Sequence, residues 1–409
     1  MAASAARSAA FGITLRIEQD GAYADELLHS SHIARLNTRD RAFATELVMG
    51  CLRRRGELDH LISSRLHKPL RTVDPEVLVA LRLGAYQLRY MGGVAAHAAV
   101  FESVELVKLA RKRSASGLVN AVLRRLPPSP PLDEAARICH PAWLVSRWEA
   151  ALGKDVCSAL LRANLKRPEA YFRIAAPAAT EDPLRRLRKA GIRTEATDVP
   201  RAYHLLSGSP SQALAVAGTP LVFQDINSQR VGLLLDARPD STVLDVCAAP
   251  GGKSRLLAES GTVVASDRHF HRLRILRSLG SRRIRMVALD AERPLPFSGR
   301  FDRVLVDAPC SGTGTLARNP EIKWRLRPDD ITELRERQTR ILGNALEAVA
   351  PGGVLVYATC SLEPEENQHV VEEAIRASPG WKARKAVSTI PGRDAGDGFQ
   401  AWRLRRPAS

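Results

Sequence analysis

The chain has 409 residues, 45% of them hydrophobic, and carries 61 Lys and Arg against 44 Asp and Glu, a net charge of +17. That length is too great for one ordinary domain, and the apolar content excludes a largely disordered chain. A basic excess of this size favours a polyanionic partner, because neutralising phosphates releases counterions, and no apolar run reaches the ~18 residues that a bilayer span needs.

The first residues, "MAASAARSAAFGITLRIEQDG", are poor in acids, as an organelle transit peptide would be. Phe11, Leu15 and Ile17 nevertheless read as the apolar face of a first helix, and a cytoplasmic protein is expected. Helical spacing continues for about 125 residues. "DRAFATELVMGCLRRRGELDHLISSRL" sets Phe43, Leu47, Val48, Cys51 and Leu52 on one face, and "PEVLVALRLGAYQLRYM" opens with Pro75 at a helix start. The Arg clusters at 53–55 and 111–113 read as solvated faces. Prolines at 127, 128, 130 and 131 then exclude a helix and mark a stiff linker. The expected organisation is a helical domain over 1–126, a linker over 127–140, a small mixed α/β subdomain over 141–235 and a catalytic domain over 236–409.

In the mixed segment, "HPAWLVSRWEAALG" reads as a helix, residues 171–176 as a strand, and "EDPLRRLRKAGI" as a helix ending at Gly191. From Ser241 onward strands and helices alternate, the order of a doubly wound, mostly parallel sheet. Strands are expected at 242–246, 263–266, 285–288, 303–306 and 354–358. Runs such as "RVLVDA" and "GVLVYA" are apolar without alternation, as buried parallel strands should be.

"TVLDVCAAPGGKSRLL" reads as strand, small-residue turn and helix. Gly251 and Gly252 let a ligand approach the backbone closely, and Asp267, 22 residues beyond Asp245, closes the next strand where an acid can accept from both ribose hydroxyls. Asp290 ends the third strand, beside where an adenine would lie. A NAD-type dinucleotide fits less well, since the turn lacks G-x-G-x-x-G and no second mononucleotide-binding half follows. S-adenosyl-L-methionine fits better.

Two later strands end in cysteines, Cys310 in "VDAPCSGTG" and Cys360 in "VYATCSLEPEEN". One such thiol alone is most simply a buried small hydrophobe. Two of them beside a cofactor turn point to chemistry. Ser361 and the acids Glu363, Glu365 and Glu366 look like the cap and first turn of a helix, which would place Cys360 at a helix N-terminus and favour its thiolate. The other cysteines, 51, 139, 157 and 247, form no C-x-x-C pair, so neither a zinc site nor a disulfide framework is indicated. The segment "RNPEIKWRLRP" reads as a basic loop whose Lys323 and Trp324 are candidates to touch phosphate and base.

Together "DVCAAPGGK", "VDAPCSGTG", "NPEIKW" and "YATCSLEPEEN" resemble the RNA cytosine-5 methyltransferases of the NOL/NOP/Sun family, and within it the bacterial 16S rRNA branch. "LRLGAYQL", "AAHAAVFESVELVK" and "GLVNAVLRR" resemble the NusB-like RNA-binding domain of that branch. The resemblance implies an all-α N-terminal domain followed by a Rossmann-like α/β methyltransferase. It implies contacts to S-adenosyl-L-methionine from Cys247, Ala248, Ala249, Pro250, Gly251, Gly252, Lys253, Asp267, Asp290 and Asp307. It also assigns Cys360 as nucleophile toward cytosine carbon 6, Cys310 as the assistant in release, and Asp307 as a contact to the cytosine ring. RNA, rRNA above all, is the implied partner of an expected monomer, with neither metal nor membrane. A tRNA substrate stays open. A DNA cytosine methyltransferase would attack with its Pro-Cys thiol and need no second one, and a non-catalytic RNA-binding factor would not need Cys310, Cys360 and Asp307 together. The chain departs from the family pattern at Ala175, where an Asn is common, and at Gln400, where a second aromatic residue is usual.

Overall fold

Apolar residues spaced three and four apart in the first part of the chain fold as helices, and the later unbroken apolar runs become strands. The computed structural model describes residues 3–175, 182–218, 221–278 and 281–408. The chain forms two compact units, Met1–Arg167 with Leu316–Arg325, and Pro168–Thr315 with Leu326–Ser409.

In the first unit the helices Ala5–Gln19, Thr38–Arg53, Arg55–Ser63, Pro75–Tyr90, Ala96–Leu109 and Ser116–Arg124 enclose a core that includes Ile17, Leu47, Val48, Leu58, Leu81 and Leu106. Pro75 occupies the first turn of its helix, where its missing N–H costs nothing. Gly84 lies in the same helix interior because a Cβ there would meet the Ser103 hydroxyl at 2.5 Å. After the prolines come the helices Leu132–Ile138, Ala142–Leu152 and Lys154–Asn164, which bury Trp148 and Leu160.

Leu316–Arg325, far along the sequence, is built into this helical unit rather than forming an exposed basic loop. Lys323 is fully buried and its Nζ donates to the Arg53 carbonyl at 2.8 Å. The Arg53 Nε donates in return to the Ala317 carbonyl at 2.7 Å, and the Ala24 N–H donates to Glu321 at 3.0 Å. Arg325 donates to the Gly21 and Ala22 carbonyls at 2.8 and 2.5 Å. Lys323 is thus unavailable to phosphate, contrary to the expectation from composition. The cluster at 53–55 is likewise no solvated face. Arg53 is 5% exposed, Arg54 pairs with Glu57 at 2.8 Å, and Arg55 pairs with Glu18 at 3.1 Å. At 111–113, Arg111 and Arg113 are exposed and Lys112 pairs with Asp74.

The second unit opens with a small antiparallel sheet. Its strands are β1 (Tyr171–Ile174), β2 (Thr194–Ala196), β3 (Ala202–Leu205) and β4 (Leu221–Phe223), in the order β2-β3-β1-β4. The helices Pro183–Lys189 and Pro210–Ala217 pack on it through Leu187 and Ala213 against Phe172. The predicted strand at 171–176 ends at Ile174, with Ala176 outside the described residues, as is Glu181 of the predicted helix.

Among the described residues seven further strands make the main sheet: β5 (Thr242–Asp245), β6 (Thr262–Asp267), β7 (Ile284–Ala288), β8 (Phe301–Asp307), β9 (Val349–Thr359), β10 (Lys382–Ser388) and β11 (Gln400–Arg405). Their order is β10-β11-β9-β8-β5-β6-β7, parallel from β9 to β7 and antiparallel at β10 and β11. Alternate residues of each central strand enter opposite cores. Leu244, Val304, Val306 and Tyr357 pack with Ile341 and Val370, while Val243, Leu305, Val356 and Ala358 pack with Val231 and Leu257. Helical cover on both faces is why these runs show no alternation of polarity. The strand order reverses between β5 and β8, so the crevice at their carboxyl ends is the place where such sheets take ligands.

Candidate active site

The acids foreseen from the sequence stand at these carboxyl ends. Asp245 closes β5 and is 1% exposed. One of its oxygens accepts from the Ser254 hydroxyl at 2.6 Å, and the other is buried with no partner. Burial pushes its pKa up to about 7. Asp267 closes β6, and its two oxygens accept from the His269 N–H at 2.9 Å and the Ala249 N–H at 3.2 Å. Each oxygen keeps a lone pair free for a further donor. Asp290 follows β7 by two residues and accepts from the Glu292 N–H at 3.1 Å.

The turn between β5 and the helix Gly252–Leu257 holds Gly251 at φ 109°, a left-handed conformation that excludes most side chains. Cys247, Ala248, Ala249 and Pro250 lead into it. Burial pushes the Cys247 thiol well up, and the side chain packs against the core of the sheet. These features fit an adenosine-bearing methyl donor: a glycine cradle, a buried carboxylate oxygen without a partner, and Asp267 fastened to the cradle with acceptor capacity to spare.

Lys253 in the same helix is 9% exposed, and its Nζ donates to Asp307, the last residue of β8, at 2.6 Å. Burial opposes the ammonium charge. Asp307, and then Cys360, outweigh burial and hold the lysine above its ordinary pKa. The ammonium also lies 5.1 Å from the centre of the Phe399 ring.

β8 and β9 are parallel neighbours with Asp307 opposite Ala358. Cys310 follows β8 by three residues and Cys360 follows β9 directly, so the pairing brings the two thiols together with their Sγ atoms 3.3 Å apart. The hydrogen bond to Cys360, together with burial, pushes the Cys310 thiol well above its ordinary pKa.

The segment after Cys360 departs from the predicted helix start. Residues 361–363 are not helical, a single 3-10 turn spans Pro364–Glu366, and the α-helix begins only at Gln368. Cys360 thus has no helix N-terminus beside it. The acids expected to line a first turn serve a different purpose. Glu366 is fully buried, and its carboxylate accepts from the Ser311 N–H at 2.8 Å, the Gln338 amide at 2.9 Å, and the hydroxyls of Ser311 and Ser361. Its oxygens therefore join the residue after Cys310 to the residue after Cys360. Asn367 completes the clasp, donating to the Ser361 and Glu363 carbonyls at 2.9 and 2.8 Å and accepting from Thr359 at 2.6 Å. Sequence reading missed Ser311, Gln338, Glu366 and Asn367 as site residues, and the one local signal was a polar run immediately after a buried strand.

Three family profiles match the chain in succession. The NusB family covers residues 4–127, the ferredoxin-like domain of RsmF/B-like methyltransferases covers 140–211, and the 16S rRNA methyltransferase RsmB/F covers 232–404. The probable ribosomal RNA small subunit methyltransferase B of Bacillus subtilis is 33% identical over 405 residues, which span 93% of this chain and 90% of that protein. The ribosomal RNA small subunit methyltransferase B of Salmonella paratyphi B is 35% identical over 387 residues, spanning 88% and 89%. Among solved structures, PH0851 matches with a TM-score of 0.81 at 23% identity, covering 99% of this chain and 100% of that one, which is a likeness of fold. The chain belongs to the RsmB/F family, and its fold is that of an S-adenosylmethionine-dependent methyltransferase carrying a NusB-type helical domain.

Proposed function

We propose that this chain is an rRNA methyltransferase that forms 5-methylcytosine, in 16S rRNA first of all, through a covalent adduct between Cys360 and the target base. It acts in the cytoplasm and as a monomer. The observation that carries this reading is the Cys310–Cys360 sulfur pair together with the ion pair of buried Lys253 and half-buried Asp307.

Cytosine carbon 5 is too weakly nucleophilic to take a methyl group unaided. Cys360 supplies the activation by adding its thiolate to carbon 6, which gives carbon 5 enamine character. The Lys253 ammonium stabilises that thiolate across a site of low dielectric. Asp307, oriented by Lys253, meets the N3 edge of the base. S-adenosylmethionine, when bound, supplies an electrophilic methyl group. Asp267 would accept from the ribose hydroxyls, Asp290 would serve the adenine, and residues Cys247 to Lys253 would form the cradle. The carbon 5 proton then passes to water, its C–H electron pair forms the carbon 5–carbon 6 double bond, and the carbon 6–sulfur pair departs with Cys360 as thiolate. Cys310, held as a thiol 3.3 Å away, assists that departure.

The test is adduct chemistry on labelled 16S rRNA. Cys360→Ala should give neither product nor adduct while still binding S-adenosylmethionine. Cys310→Ala should transfer the methyl group and then stall, leaving a slow-migrating, protease-sensitive band on a denaturing gel. Normal turnover by Cys360→Ala would remove this mechanism, and an adduct formed only when Cys360 is absent would assign attack to Cys310.

A further inference from the structure

The edge of the main sheet carries an arrangement of charge that the fold does not need. β10 and β11 pair antiparallel with Lys382 directly opposite Arg405 and Arg384 directly opposite Arg403. Residues directly opposed in such a ladder share a face and lie about 5 Å apart, where like charges repel. Lys382 and Arg384 are two residues apart, as are Arg403 and Arg405, so all four cations stand on one face as a two-by-two grid. All four are exposed. None of them has an ion pair or a side-chain hydrogen bond among the described residues. The other face of the same hairpin shows the ordinary alternative, in which Lys385 lies over the Trp402 ring at 5.3 Å and Leu404 is fully buried.

The grid lines an open groove of about 520 Å³ whose further walls include Leu233 and Asp236. Asp236 is the one acid there, and it is turned to Arg238 at 3.4 Å. Along each strand the cations recur every ~6–7 Å, twice the rise per residue. That interval is close to the phosphate repeat of an extended polynucleotide. The groove also has a direction. Gln400 stands opposite Thr359, next to Cys360, while Arg403 and Arg405 stand opposite Val356 and Val354. The grid therefore begins ~10 Å down the sheet from the end that bears Cys360 and runs away from it. Cations dominate the polar lining, and the walls hold no aromatic side chain on which a base could stack, so the groove suits a backbone read without regard to sequence.

We propose that the β10–β11 edge binds the phosphodiester backbone of the RNA substrate, taking nucleotides that flank the target base. This rests on the RNA-methyltransferase reading above and extends it to a second contact outside the catalytic pocket.

The decisive variant is Arg384→Ser with Arg403→Ser in the full-length protein, measured by fluorescence anisotropy on a long 16S rRNA fragment across a salt series. Each lost phosphate contact lowers the slope of log affinity against log salt by ~0.7–0.9, so the slope should fall by about 1.5. The Michaelis constant for the long RNA should rise ~10-fold at low salt, with turnover and S-adenosylmethionine affinity unchanged. A minimal oligonucleotide confined to the target loop should bind both proteins alike. Lys382→Glu guards against misfolding, because it turns a repelling pair into an attracting one and should hold or raise the melting temperature while weakening long-RNA binding. An unchanged salt slope, or an equal loss on the minimal oligonucleotide, overturns the proposal. RNA that binds with the predicted slope change but is never methylated at cytosine would overturn the catalytic reading and leave the backbone contact standing.

Discussion

Among the described residues two lysines are buried, one in each unit, and they are held in opposite ways. Lys253 meets a carboxylate, Asp307, and its pKa is raised. Lys323 meets a backbone carbonyl, has no carboxylate partner, and burial depresses its pKa to about 8. A buried cation with a counter-ion at the end of a strand is kept charged and available for chemistry. A buried cation that meets only dipoles ties chain segments together at a cost, and it gives up its proton readily.

The contrast can be broken most strongly at Lys253. Lys253→Met should lower turnover by ~100- to 1,000-fold, the usual effect of removing one electrostatic donor from a dry site. Thermal stability should change far less, and a fall in stability without a fall in turnover per folded molecule would reduce Lys253 to a packing residue.

Glu366→Ala comes next. It leaves the hydroxyls of Ser311 and Ser361 and the Gln338 amide without their shared acceptor, which should cost roughly 2–3 kcal/mol in denaturant unfolding. Because Glu366 also joins the two cysteine loops, adduct formation should fall relative to S-adenosylmethionine binding. Glu366→Gln should recover part of both. If alanine at 366 changed neither stability nor adduct yield, the clasp would have no bearing on the sulfur pair.

The smallest effect sharpens the comparison from the other side. Lys323 binds its proton more weakly folded, at about 8, than its ordinary value of 10.5. The folded state therefore gains on the unfolded state as pH rises from about 8 towards 10.5, by at most about 3 kcal/mol. Lys323→Met should remove this gain, seen as a flatter unfolding free energy over that window. Lys253 has the reverse sign, since its folded pKa is raised. Its contribution is complete below 10.5 and is lost as pH climbs through the folded value.

The same two regions mark how far the sequence could be read. The parallel strands lie where unbroken apolar runs placed them, because a strand covered by helices on both faces needs apolar residues at every position. Cys310 and Cys360 fell at strand ends for the same reason, and strand pairing then supplied a meeting of thiols that spacing alone does not state. The antiparallel edge escaped notice because "KARKAVS" shows cations where a buried strand would show aliphatics. Residues 318–328 read as a basic loop because composition carries no sign of the partner that buries Lys323. The helix expected after Cys360 failed because Glu366 finds four donors by folding inward, and those donors come from residues such as Ser311 and Gln338 that are distant in sequence. Propensity is local, and that network is not.

Leu316–Arg325 has a bearing on the order in which the protein can be made. The helices of the first unit emerge from the ribosome early, but Glu321, Lys323 and Arg325, which satisfy the Ala24 N–H and the carbonyls of Gly21, Ala22 and Arg53, are translated only after residues 168–315. At about 5–20 residues per second that interval is on the order of ten seconds or more. Until then those backbone groups lack the partners they have in the folded protein. A nascent chain arrested before residue 316 should hold those helices in a looser, more protease-sensitive form than one arrested well past residue 325, so the helical unit is completed after β5–β8 are made and before β9–β11.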